Sequence, residues 1–184
     1  MKFESIDEIY ATNEAIRKNL LEVVDGLTAD EAATPTENGK WTISKIVEHL
    51  SLVDIGMTRI SAKLLTKAKE KGLSSDGAIV LSTHFVDAIG KLRDEKTRLN
   101  APDIVQPQGG QPISDSIVVL NANRVELNAI RDMFSAYDPT AFTFPHPAFG
   151  ELTALDWLVL LGGHEARHTA QIERILSRKD AAKA

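Results

Sequence analysis

Four long stretches of the chain repeat apolar residues at helical spacing, and polar or Gly- and Pro-containing breaks separate them. In the first, from Ser5 to about Gly26, the stripe is Ile9, Ile16, Leu20, Val23 and Leu27. Ser5 is the expected N-cap, and Asp7 and Glu8 suit the positive end of the helix dipole. Asn13 interrupts this stripe; a local hydrogen bond or a place near the rim is expected, with lining of a polar cavity the alternative. Thr28-Ala29-Asp30-Glu31 reads as a capping box opening a single turn that Pro35 closes. A turn from Glu37 to Trp41 then leads, through a Thr42 or Ser44 cap, into a second helix running to about Lys71 and ended by Gly72. Ile43, Ile46, Val47, Leu50, Val53, Met57, Ile60 and Leu64 give it a wide apolar face.

The third helix is expected from a Ser114 cap to about Tyr137, before Pro139, with Ile117, Leu120, Leu127, Ile130 and Phe134 inward. The fourth starts at Thr153-Ala154-Leu155-Asp156, a Thr cap with a first-turn carboxylate, and runs to about Arg178; Lys179 to Ala184 should fray. Between Gly72 and Ile113 lie about forty residues, too many for a tight link between antiparallel neighbours. They hold a short helical pattern near Phe85 to Leu99 and a Pro- and Gly-rich run from Ala101 to Pro112. The stretch therefore reads as a crossover that lets helices two and three run the same way. Thr143 to Gly150, rich in aromatic residues and Pro, should pack as a loop across one bundle end, and no stretch reads as a strand. The prediction is an all-α four-helix bundle with a long crossover between helices two and three, one domain over residues 1–184 without internal repeats.

The chemistry on these helices concentrates in histidine. On the fourth, Trp157, Leu161, His164, His168, Ile172 and Ile175 fall within roughly 80° of arc, so two imidazoles stand one turn apart inside an apolar stripe. Neutral imidazole binds zinc and similar ions, and an i, i+4 pair can direct both rings at one ion. His49 lies at the flank of the second helix's apolar face, on the side of Gly56 and Ile60. A side chain there points between two neighbouring helices, which makes His49 the natural third ligand. The competing reading is a core role, with the ring nitrogens meeting protein partners. His84 lacks supporting spacing and reads as a surface or packing residue. Arg124 and Arg131 share the inward face of the third helix; reaching the rim or pairing with a carboxylate is the usual outcome, and Arg124, nearer the middle, is the better candidate for a pocket role.

His164-Glu165-Ala166-Arg167-His168 also fits the HExxH pattern of zinc peptidases. No histidine follows it, Glu173 and Asp180 stand at unsuitable spacings, and no strand precedes it to hold an extended peptide, so a peptidase is disfavoured. Cysteine is absent, which excludes disulfides, thiolate nucleophiles and Cys-containing zinc sites and leaves His, carboxylate or water to hold a metal. A net charge of -5 with interspersed Lys and Glu offers no basic patch, so nucleic acid is not expected as a partner. The N-terminus lacks the apolar core of a signal peptide, and no run approaches the roughly 20 apolar residues of a membrane span. A cytoplasmic protein with no membrane partner is expected, and a homodimer, because such bundles often bury a helix face against a second copy.

Trp41-Thr42-Ile43 followed by Glu48-His49-Leu50, together with His146-Pro147-Ala148-Phe149-Gly150-Glu151-Leu152-Thr153 and His164-Glu165-Ala166-Arg167-His168-Thr169-Ala170-Gln171-Ile172, resembles the DinB-like superfamily over nearly the whole chain. The resemblance implies an up-down-down-up bundle and places the family's metal triad on His49, His164 and His168, holding one divalent ion, commonly zinc or nickel, with positions open for water or substrate. Some members are thiol-dependent S-transferases or maleylpyruvate isomerases, which brings in a low-molecular-weight thiol as a further cofactor. The expected function is a metal-dependent hydrolase or thiol-dependent S-transferase acting on a small molecule. Glu165 and Arg124 are the catalytic candidates: Arg124 would orient a substrate carboxylate, and Glu165 or Gln171 would hold a ligating ring. His146 and Arg167 stand beside the motifs without an assigned role. The alternative is a non-catalytic bundle, structural or small-ligand-binding, that retains the His cluster.

Overall fold

The computed structural model describes residues 2–92 and 101–181. Helix α1 (Ile6–Val24) begins where the Ser5 hydroxyl accepts the Glu8 N–H, and the capping box of Thr28 and Glu31 opens the one-turn α2 (Ala29–Ala32). Helix α3 (Ile43–Glu70) is capped by Thr42, whose hydroxyl accepts the Lys45 N–H. It ends as Gly72 enters the left-handed region (φ +67°) and the Leu73 N–H reaches back to the Ala68 carbonyl at 3.0 Å, a closure that glycine permits without strain. Helix α4 (Thr83–Leu92) lies in the crossover; the rest of the helical pattern expected to Leu99 falls outside the described residues.

Three expectations need correction. The third helix is two pieces, α5 (Ile113–Ala129) and α6 (Arg131–Ala136), because the Ile130 N–H turns to the Leu127 carbonyl instead of continuing the α ladder. Its N-cap is Pro112 rather than Ser114, a position where a missing N–H costs nothing because first-turn donors have no partner within the helix. The aromatic, proline-rich loop is a hairpin: β1 (Thr143–His146) pairs antiparallel with β2 (Gly150–Thr153), Phe144 opposite Leu152. Pro145 is tolerated because both strands of a two-stranded ribbon are edges. Helix α7 (Ala154–Ala181) then starts at Thr153, whose hydroxyl accepts the Asp156 N–H, and continues past Arg178 to Ala181; the remaining tail lies outside the described residues.

Four-helix-bundle directions follow from the side chains that tie the helices together. Asn13 and Arg17 of α1 bond Leu158 and Glu165 of α7 in ascending order, so these helices run parallel. Tyr10 and Arg17 donate to the carbonyls of Leu127 and Leu120 on α5 in descending order, so α1 and α5 run opposite ways. Ser44, at the start of α3, bonds the Gln111 carbonyl just before α5, and Ser74 pairs with Tyr137 beyond their far ends; α3 and α5 are therefore parallel, as a crossover permits. The result is the up-down-down-up bundle, with α3 packed on both α5 and α7, and α1 on α7. Among the described residues, no helix is long and apolar enough to cross a membrane.

Two apolar clusters fill the bundle. One, at the hairpin end, includes Ile9, Met57, Phe134, Leu152 and Leu158; the other, at the opposite end, includes Leu20, Ile46, Leu120, Ile172 and Ile175. A polar layer separates them. The buried face of α1 runs Ile6, Ile9, Tyr10, Asn13, Arg17, Leu20, Val24, leaving Ile16 and Val23 at the flank of the stripe expected from apolar residues alone. Asn13 is bonded neither locally nor at the rim: its Nδ2 donates to the Leu158 carbonyl of α7 at 3.0 Å. A Cβ on Gly162 would lie 2.0 Å from Asn13 Oδ1, so Gly162→Ala should push Asn13 off this bond and cost about 1–3 kcal/mol in urea unfolding. A change below half a kcal/mol, roughly the scale of an ordinary surface substitution, would contradict the close approach.

Candidate metal centre

Glu48 and His49 share the first turns of α3 and hold different things. Glu48 is buried, and its two oxygens accept the backbone N–H groups of Gln108 and Gly109 at 2.9 and 2.8 Å. That clamp fixes the end of the crossover, in which the Asp103–Val105 turn presents the Val105 carbonyl to His49. The His49 Nδ1–H donates to this carbonyl at 2.8 Å, so in the neutral ring the Nε2 lone pair faces into the bundle. Glu48 stands beside His49 in the family motif, yet nothing in the sequence gives it this role; only its proximity to the Gln108 and Gly109 N–H groups in three dimensions reveals the clamp.

The structure brings His49, His164 and His168 together. Their ring centroids are 5.1, 5.2 and 4.6 Å apart, and one nitrogen from each lies within 4.8 Å of the others. His49 Nε2 and His164 Nε2 stand 3.3 Å apart. His168 Nδ1–H donates to Gln171 Oε1 at 2.9 Å, freeing its Nε2. Trp41 covers the cluster, 4.8 Å from the His49 ring and 6.5 Å from that of His168. Burial lowers the pKa of all three imidazoles: His49 against the support of Val105, His168 to about 3 with help from His49, and His164 well below the ordinary range, with His168 and His49 adding to the burial. All three rings are therefore neutral near pH 7, the form that ligates metals.

This donor set fits a divalent ion. Nitrogens on one tetrahedral zinc at 2.0–2.1 Å stand roughly 3.3 Å apart, and a three-histidine set leaves a coordination position open. His49 and His168 also have their rear nitrogens anchored, as ligating histidines commonly do.

The other predicted residues lie elsewhere. Both carboxylate oxygens of Glu165 are taken by Arg17, whose Nε and Nη2 approach at 2.7 and 2.9 Å; it is Gln171 that holds a ring of the cluster. Arg17 also donates to the Leu120 carbonyl at 3.0 Å and lies 3.4 Å from Asp54, which in turn accepts from Asn123 at 2.7 Å. Arg124 sits in this charged layer with no hydrogen bond, 3.7 Å from Glu165. Burial raises the pKa of Glu165, with Arg17 the main opposing influence. A cavity of about 10 Å³, room for one water, touches His164, Asp54 and Glu165 and connects the layer to the His cluster. Arg131 pairs with Asp7 at 2.7 Å, and His84 donates to the Glu151 carbonyl at 2.8 Å. His146 lies on the hairpin, its ring 5.3 Å from Trp157.

The sequence profile of the DinB superfamily matches residues 12–172, a span that contains all three histidines. The chain belongs to the DinB superfamily. It is 22% identical to the uncharacterized protein YuaE of Bacillus subtilis (strain 168), over 85% of this chain and 90% of that protein. It is 25% identical to a Geobacillus kaustophilus (strain HTA426) protein named "Putative metal-dependent hydrolase", over 95% of this chain and 85% of the relative. The crystal structure of TT2238, a four-helix bundle protein, superposes with a TM-score of 0.61 at 24% identity, covering 92% of this chain and 99% of that one; it supports the four-helix bundle as the fold.

Proposed function

We propose that this DinB-superfamily protein is a divalent-metal-dependent enzyme that holds one zinc or nickel ion on His49, His164 and His168 and acts on a small molecule. The convergence of three neutral imidazoles in a half-buried, Trp-covered site carries this reading. The name of the Geobacillus relative favours hydrolysis as the reaction. Transfer from a thiol is the other outcome; with no cysteine in the chain, the thiol would have to be a separate small molecule.

A bound divalent ion supplies Lewis acidity, polarising a carbonyl and easing loss of a proton from a water or thiol nucleophile. The protein's own contribution is positional. Val105 and Gln171 fix two of the imidazoles in the tautomer that points a lone pair inward, so little reorganisation is needed on binding. The Trp41 face excludes water from one side of the cluster and strengthens electrostatic interactions within it.

The test is the metal content of untagged protein by elemental mass spectrometry, on the parent and on folded His49→Ala, His164→Ala and His168→Ala variants. Near one equivalent in the parent, lost in each variant, is expected, followed by hydrolysis of small esters or amides or by thiol transfer in a substrate screen. No metal in the parent after reconstitution with zinc and nickel would leave a His-lined core and favour the non-catalytic bundle, a reading for which the 3.3 Å contact between His49 and His164 gives some support.

A further inference from the structure

Helix α3 packs on α7, and the seam between them runs from the His cluster towards the hairpin. Along it α3 carries His49, Gly56 and Ile60, seven and four residues apart and so on one helix face; α7, in the opposite direction, carries His164, Leu161 and Trp157. Among the described residues a Cβ on Gly56 would meet nothing within 4 Å, so there is open space at that point of the seam. At the far end stand two ring N–H donors, on Trp157 and on His146. Trp157 is 4% exposed, and its buried Nε1–H has no hydrogen-bond partner among the described residues. The His146 ring, 5.3 Å from the Trp157 ring, is stacked on Phe149 at 4.5 Å, and its Nδ1 accepts the Ala148 N–H at 3.1 Å. That bond fixes the tautomer: in the neutral ring the proton is on Nε2, and Nε2–H is a donor whose direction the hairpin sets.

A buried, unpaired indole N–H carries a desolvation cost that an acceptor on a bound ligand would relieve. Burial lowers the pKa of His146 to about 4, so its imidazole is neutral near pH 7. Uncharged donors in an aromatic setting favour an uncharged acceptor over a carboxylate, whose loss of hydration they offset only in part.

We propose that His146 Nε2–H and Trp157 Nε1–H together hold a carbonyl oxygen of an uncharged amide or ester group in the substrate, at the hairpin end of the α3–α7 seam whose other end is the His cluster. The assignment of this group to a substrate rests on the function proposed above. His146 and Trp157 are positioning and specificity residues: they select an amide or ester and set its distance from the three histidines.

The protein has two tryptophans, so two indole N–H resonances report on it, and Trp157→Phe identifies the one in question. N-butylacetamide, which offers a carbonyl and an alkyl tail for Leu161 and Met57, is titrated into metal-free and zinc-treated protein while these resonances are followed by NMR. The Trp157 resonance should move downfield and saturate in both forms, and butyrate should not move it in the metal-free form. His146→Phe should weaken binding about fivefold to tenfold, as expected for one hydrogen bond, and His146→Gln, which keeps an N–H donor, should restore part of it. A Trp157 resonance unmoved up to the solubility limit overturns the proposal, as does an equal response in His146→Phe or a preference for butyrate in metal-free protein. Because the metal-free titration reads the hairpin end alone, and metal content is measured separately, failure here is distinguishable from failure of the metal centre.

Discussion

Arg17→Met is expected to lower the unfolding free energy by about 3–5 kcal/mol at pH 7.5, the usual cost of stranding a buried carboxylate. Arg17 is 2% exposed and satisfies four groups at once: both oxygens of Glu165, the Leu120 carbonyl and Asp54. Methionine fills much of the volume and removes every donor. Asp54 keeps its bond from Asn123, but Glu165 is left with Arg124 alone at 3.7 Å, without a hydrogen bond. The deficit should narrow in acid. Burial already raises the Glu165 pKa and Arg17 opposes that rise; without Arg17 the folded-state pKa climbs further above the unfolded one. A carboxyl whose pKa is raised on folding takes up a proton in the folded state first, so lowering the pH favours folding of the variant. Urea unfolding at pH 7.5 and 5.5 measures both effects, and Arg17→Met combined with Glu165→Met should recover part of the loss. A deficit under 1 kcal/mol, or one that widens in acid, would mean that the pair is not the buried link between α1 and α7.

The helix periods and the His164–His168 pair were legible because both depend only on the 3.6-residue repeat: Trp157, Leu161, His164 and His168 must share a face whatever packs against them, whereas His49 rested on its flank position and on the family motif. Arg17 and Asp54 were hidden by the same method, which counts apolar residues as the buried face. Arg17 recurs with Ile6, Ile9, Asn13 and Leu20 at helical spacing, yet a charged residue joins the interior only when a tertiary partner exists, and Glu165 is 148 positions away. The HExxH pattern then misdirects, since its glutamate appears beside two histidines in sequence while about 100° of rotation turns it into the bundle core. The hairpin was missed for a local reason: Pro145 and Pro147 argue against a strand unless the ribbon has only two edges, and its width is not written in the sequence. The break at Ile130 has no glycine or proline to announce it.

Removing metal should make stability depend steeply on pH. In the metal-free protein, burial keeps His168 neutral down to about pH 3, against 6.5 for an ordinary imidazole, and His49 and His164 shift in the same direction. The unfolded chain therefore binds protons before the folded one. Stability is fully present above pH 6.5, begins to fall as the pH drops through that value, and for His168 keeps falling to about pH 3, at about 1.4 kcal/mol per pH unit. Between pH 7 and 5 the metal-free parent should lose about 2 kcal/mol more than His168→Gln, which fills similar space and does not titrate. At pH 7, zinc at a thousandfold excess over its Kd should raise the unfolding free energy by about 4 kcal/mol, and a chelator should reverse the gain. The same zinc should leave the folded His164→Ala variant nearly unchanged. Parallel pH profiles for the parent and His168→Gln would show that the imidazole is already solvated in the folded state. Stabilisation of His164→Ala as large as that of the parent would place the ion somewhere other than between α3 and α7.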